Sequence, residues 1–120
     1  MIEIMQGMPE NIVAVSASGK VTGEDYDNVL IPAIEDKLRK HGKIRVLYTL
    51  DSDFTGFTAE AMWDDAKIGL KHLTAYEKVA VVSDVSWVVS AVKFFSFIMP
   101  CPVKTFGYGK LSEAKNWICE

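Results

Sequence analysis

Strand-like and helix-like segments alternate along this chain, and that alternation restricts its fold more than any other feature. Ile2-Glu3-Ile4-Met5 and residues 12–18 are β-rich runs, separated by the turn-forming Gly7-Met8-Pro9-Glu10-Asn11. Thr22 with Asp25 three residues on resembles a capping box, Asp standing in for the usual Glu or Gln. The helix it opens places Tyr26, Leu30, Ala33, Ile34 and Leu38 on one face and ends at His41-Gly42. Pro32 lies inside it, where a missing N–H predicts a bent axis. Residues 44–50 read as a central strand, apolar enough to be covered on both faces. After the loop 51–57, Thr58 can cap a second helix predicted to turn Met62, Trp63, Ala66, Gly69, Leu70 and Leu73 inward. Residues 79–82 form another buried strand, and Ser83-Asp84-Val85-Ser86 offers caps for a third helix reaching about Met99, stopped by Pro100. Residues 103–106 and 112–119 supply the last strand and helix.

The order is therefore β-β-α-β-α-β-α-β-α. Right-handed crossovers then predict an α/β fold with a mostly parallel five-stranded sheet, the first strand antiparallel and helices on both faces. At 120 residues, a split would leave two pieces too small to bury much core, so residues 1–120 are expected to form one domain. Ligands of such sheets dock at the carboxyl ends of the strands, here residues 19–22, 51–58, 83–86 and 107–110.

Composition narrows the function classes. The apolar fraction of 49% and charged fraction of 24% suit an ordinary globular chain. The net charge of −3 comes without a cluster of Lys and Arg interleaved with aromatics, which argues against nucleic acid. The amino terminus lacks a basic stretch followed by an apolar run and cleavage site, so a cytoplasmic protein is expected. Cys101 and Cys119 are too few for a disulfide scaffold and read as small apolar side chains.

No motif names a catalytic residue. Asp51, Asp53, Thr55 and Gly56 match four positions of a calcium loop, but its twelfth position is Met62 rather than a bidentate carboxylate. An ordinary strand-to-helix turn accounts for them better. Adjacent Asp64 and Asp65 point about 100° apart on a helix, which suits a solvated face rather than an acid–base pair. His41 and His72 have no partner at metal-ligand spacing and stand at helix ends, where the dipole favours them. Neither a metal nor a cofactor is expected, nor enzymatic turnover.

The third helix is unusual. Trp87, Val88, Val89, Ala91, Val92, Phe94, Phe95, Phe97, Ile98 and Met99 are interrupted only by Ser90, Lys93 and Ser96. With Ser86, these polar residues cover about 120° of the wheel, leaving two-thirds apolar, more than one sheet face can cover. At ~1.5 Å per residue the segment is ~20 Å long, too short to span a ~30 Å hydrocarbon core. The surplus can meet a neighbouring helix or second subunit, an apolar ligand, or a bilayer interface. Core packing with a modest dimer contact would also absorb it. The expected binding residues are Trp63, Trp87, Phe94, Phe95, Phe97 and Ile98, with a lipid-like molecule or membrane surface as partner and a homodimer as the assembly. The acidic net charge disfavours anionic lipid.

Asp25-Tyr26 with the helix Val29-Leu30-Ile31-Pro32-Ala33-Ile34, Met62-Trp63-Asp64-Asp65 running to Gly69-Leu70-Lys71-His72, and Val79-Ala80-Val81-Val82 leading to Trp87 resemble the bacterial SpoIIAA-like proteins. That family is grouped by fold with STAS domains and described as related to the SEC14 (CRAL-TRIO) lipid carriers. The resemblance spans nearly the whole chain. It implies the same α/β architecture, with residues 86–100 as a mobile apolar lid. Such a lid needs a hinge, for which residues 83–86 and 100–102 are the candidate ends, and a lipid-contacting helix would place the cytoplasmic protein peripheral to the inner membrane. True anti-sigma-factor antagonists carry a phosphorylatable serine in an Asp-Ser-Ser-Gly turn. Here the turn reads Phe54-Thr55-Gly56-Phe57-Thr58, so no phosphorylation switch carries over. The STAS likeness implies an alternative role as a regulatory module docking a protein partner through Asp51, Asp53, Thr55 and Thr58, although Thr58 is more simply a helix cap.

Overall fold

The computed structural model describes residues 1–120. Strand β1 (Ile2–Ile4) pairs antiparallel with β2 (Ile12–Ala17), Ile2 facing Ala17. The reversal uses Gly7 at φ 85°, a left-handed conformation that other residues adopt only with strain. Strand β2 then pairs in parallel with β4 (Ile44–Leu50), β4 with β6 (Tyr76–Val82), and β6 with β7 (Val103–Phe106). The sheet order is β1-β2-β4-β6-β7, mixed only at its first strand, as the sequence predicts.

Each parallel crossover steps in the same direction, so right-handed connections lay three helices over one face. On that face Val13, Val15, Val46 and Leu50 meet Leu30, which directly precedes α2 (Ile31–His41), Ile34 of α2, Ala61 and Ile68 of α3 (Ala59–Lys71), and Val88 of α4 (Ser86–Ser96). On the other face Ile12, Ala14, Leu47, Ala80 and Val82 pack on Ala114 and Ile118 of α5 (Leu111–Cys119). Arg45 and Lys78 reach from the sheet to donate to the carbonyls of Ile118 (2.8 Å) and Trp117 (3.0 Å). The Ile118 carbonyl gains a partner that the end of α5 would otherwise lack, and the Trp117 carbonyl a second one beside the Glu120 N–H.

The Thr22 capping box forms: the Asp25 N–H donates to Thr22 Oγ1 (3.3 Å) and the Thr22 N–H to Asp25 Oδ2 (2.8 Å). It opens α1 (Gly23–Asp25), followed by a π-helical segment, Tyr26–Leu30, before α2 begins. Pro32 therefore does not interrupt one continuous α-helix: a widened turn precedes it, and it enters α2 in the first turn. A widened turn removes the clash that a proline ring makes with the carbonyl four residues back and needs no N–H from it.

The second helix corrects the sequence reading. Ala61, Asp64 and Ile68 face inward, while Met62, Trp63 and Leu70 are exposed. The cause is close approach to α1: a Cβ on Gly23 would lie 2.9 Å from Glu60 Cβ. Glycine at position 23 lets the Glu60 and Asp64 side of α3 come against α1, and that docking leaves the more apolar side of α3 outward. A two-residue parallel ribbon, β3 (Lys20–Val21) with β5 (Gly56–Phe57), is also absent from the sequence expectation. Helix α4 stops at Ser96, before Met99, and its start is organised by Ser83, whose Oγ accepts the Val85 N–H (3.1 Å), with no side-chain cap from Ser86. No helix is long and apolar enough to cross a membrane.

Candidate apolar binding surface

Helix α4 touches the core along one narrow stripe. Val88 is its only fully buried residue, with Val85, Val92 and Met99 partly buried against the same cluster, an i, i+3, i+7 spacing. The opposite side carries Phe94 at 65% exposure and Phe97 at 89%, with Trp87, Phe95 and Ile98 also exposed. Phe94 and Phe95 contact edge to face, their ring centroids 6.2 Å apart. The surplus apolar surface expected of this helix is therefore present and faces outward.

The first turn of α4 rests on an aromatic seat. Trp87 lies 6.3 Å from Phe54 and 6.0 Å from Phe57, which are 4.9 Å from each other, and Phe57 meets Tyr48 edge-on at 6.5 Å. Phe54 and Phe57, which hold Trp87, are absent from the residues expected at this surface. Their signal was the Phe-x-x-Phe spacing within the loop read as a calcium-like turn.

Behind the seat lies a polar chain. The Tyr48 and Tyr26 hydroxyls are 3.0 Å apart, and the Tyr26 hydroxyl donates to Asp65 Oδ1 (2.9 Å). Burial, reinforced for Tyr26 by the Asp65 charge, pushes both phenols far above the ordinary tyrosine value, so both stay neutral donors. Asp65 is exposed along its outer edge. Desolvation of its carboxyl beside these rings nonetheless raises it above the usual carboxylate value, against the lowering effect of the Tyr26 hydrogen bond. The two acidic neighbours thus have separate roles, and the expected solvated face is corrected at Asp64: Asp65 is exposed and ends the hydroxyl chain, whereas Asp64 is buried near Gly23 and pairs with Lys67 (3.4 Å).

The other expected site residues separate into distinct places. Trp63 is exposed on α3, outside the ring contacts that join Trp87 to its seat. Thr58 caps α3, its Oγ1 accepting the Ala61 N–H (3.1 Å). Thr55 is exposed and donates its N–H to the Gly19 carbonyl (2.8 Å), alongside the β3–β5 ribbon. Asp51 is half-buried at the end of β4, where desolvation first, then the charges of Asp53 and Glu3, raises its carboxyl. His72 Nε2 lies 3.0 Å from Glu35, whose carboxyl is lowered chiefly by that contact.

The comparisons agree with this architecture. The SpoIIAA-like family model matches residues 12–119. No curated protein matches the chain. A crystal structure of an uncharacterised protein of the DUF3478 family with a SpoIIAA-like fold, from Shewanella loihica PV-4, is 28% identical, covers 99% of this chain and 93% of its own, and superposes with a TM-score of 0.79. The five-stranded sheet with one antiparallel edge, the helices on its two faces and a match that runs from β2 to the end of α5 lead to one assignment: the chain belongs to the SpoIIAA-like family.

Proposed function

We propose that this SpoIIAA-like domain is a binding protein without catalytic turnover, and that α4 engages a lipid-like molecule or the surface of a membrane. The observation that carries the reading is the outward aromatic side of α4, above all Phe97 at 89% and Phe94 at 65% exposure. Burying two or three such side chains at ~1.5–3 kcal/mol each supplies about 3–9 kcal/mol, enough for reversible association. A helix held by one fully buried residue also opens at low cost, which suits a lid hinged at residues 83–86 and 100–102. The net charge of −3 directs the expectation to neutral rather than anionic lipid.

The test is co-sedimentation with phosphatidylcholine vesicles, alongside displacement of a fluorescent fatty acid. Wild type should bind in at least one assay and Phe94→Ser and Phe97→Ser should weaken that binding. Absence of wild-type binding in both, or unchanged binding by both variants, sinks the reading.

The second reading is a STAS-like regulatory module that docks a protein partner. It is favoured by the continuity of the 51–58 loop with α4 through Phe54, Phe57 and Trp87. A partner whose binding falls in Asp53→Ala but survives in Phe97→Ser would support it; a second copy of the chain covering α4 would appear as a dimer lost in Phe97→Ser.

A further inference from the structure

On the face of the sheet opposite α4, a hollow of about 560 Å³ opens at the carboxyl ends of β4 and β6. Its lining includes Thr49, Asp51, Ser52, Asp53, Val82, Tyr108 and Leu111. The size falls in the ~300–1,000 Å³ range of small-molecule clefts. Strand alternation places Thr49 on the same face as Leu47, which packs on α5. This threonine is only 8% exposed and its Oγ1 has no hydrogen-bond partner. A buried hydroxyl left unpaired is costly to a fold, and this one belongs to the wall of a hollow that can bring it a partner.

The mouth is built by close contacts. The Tyr108 hydroxyl donates to the Asp51 carbonyl (3.3 Å), and its backbone N–H donates to Asp84 Oδ2 (3.4 Å). Gly107 permits this, because a Cβ there would lie 2.8 Å from Asp84 Oδ1. The phenol ring is thereby held beside Asp51 and Asp53.

The chemistry of the lining selects the ligand. Two carboxylates and no Lys, Arg or His line the hollow, so an anion would meet repulsion from every charge present. No group of three His, Cys, Asp or Glu side chains converges to hold a metal ion, and hard cations ask for ~6–8 oxygens. An organic ammonium fits: its N–H groups donate to Asp51, Asp53 and Thr49 Oγ1, its carbon chain lies on Val82 and Leu111, and the Tyr108 ring offers a π face to the charge. We infer that this hollow is a binding site for a small primary ammonium compound with a short apolar body, separate from the α4 surface.

The test is an NMR titration of the intact chain with n-butylammonium, with n-butyrate and n-butanol as matched probes. Butylammonium should give saturable shifts at the Ser52, Val82, Tyr108 and Leu111 amides, while butyrate gives none and butanol binds at least tenfold more weakly. Asp51→Asn should weaken butylammonium at least tenfold with the amide spectrum otherwise retained. Thr49→Val, which removes an unpartnered hydroxyl at constant shape, should keep or raise Tm yet weaken binding severalfold. Shifts that spread over the acidic surface without saturating, an equal response to butyrate, or unchanged affinity in Asp51→Asn overturns the site. Unchanged affinity in Thr49→Val overturns it as well, because the unpartnered hydroxyl is what marks the hollow as a site.

Discussion

Adding one methyl group at Gly23 should destabilise the domain, because it strikes the contact that sets the rotation of α3. The new Cβ would lie 2.9 Å from Glu60 Cβ and 3.0 Å from Glu60 Oε2. Carbon atoms rest at ~3.5–4.0 Å, so the pair must separate by more than half an ångström. The Glu60 carboxylate can swing away, but its Cβ is fixed to the backbone of α3, and relief requires the two helices to part. Overpacking of this kind costs ~1–3 kcal/mol. The φ of Gly23 is not positive, so alanine also restricts the unfolded chain and returns ~0.4–1 kcal/mol. The expected net loss is about 0.5–2 kcal/mol, a fall in Tm of roughly 2–8 °C for a chain of this size. Thermal and urea unfolding followed by circular dichroism measure it. Gly69→Ala is the internal control: it lies in α3, a methyl group there would have nothing within 4 Å, its φ is not positive, and it should stabilise by ~0.5–1 kcal/mol. If Gly23→Ala proves as stable as Gly69→Ala, the account of how α3 docks is wrong.

Two other variants test local features. Thr58→Ala removes the hydroxyl that accepts the Ala61 N–H and should cost ~0.5–2 kcal/mol, read as a lower urea midpoint at unchanged m-value; an unmoved midpoint would show that the cap contributes nothing. Asp51 has a carboxyl raised above its ordinary value of 3.8, so the folded state holds that proton more tightly than the unfolded chain. Its contribution therefore weakens stability as pH rises from below 3.8 through the folded value. Asp51→Asn should remove that fall, gaining on wild type more at about pH 7 than at about pH 3 in urea titrations; a gap independent of pH would refute the assignment.

Much of the scaffold was legible from local chemistry. Residues 44–50 are a run of apolar and β-favouring residues between Gly42 and Asp51, and the strand has those same limits. Thr22 with Asp25, and Thr58, are caps whose partners lie three residues away, so short sequence windows contain both halves of each interaction. The parallel pairing followed from the alternation of strands with helices, whereas the order of the strands in the sheet did not. The candidate apolar surface was legible in part: the excess of apolar residues over 87–99 is a matter of composition, and Phe94, Phe95, Phe97 and Ile98 are exposed as that excess requires. The seat of Trp87 was hidden because Phe54 and Phe57 sit in a loop with no period to read.

Sequence by itself determined the element order, the sheet class, the helix starts at Thr22 and Thr58, and the presence of more apolar helix surface than one sheet face can bury. Tertiary structure decided which side of α3 faces inward, how the chain accommodates Pro32, and which carboxylate the Tyr26 hydroxyl reaches. The division has one physical reason. Caps, periods and crossover handedness are properties of neighbouring residues or of chirality, whereas the rotation of a helix is set by its tightest contact with a distant segment. Here the tight contact is Gly23 against Glu60, and with it in place Met62, Trp63 and Leu70 stay outward.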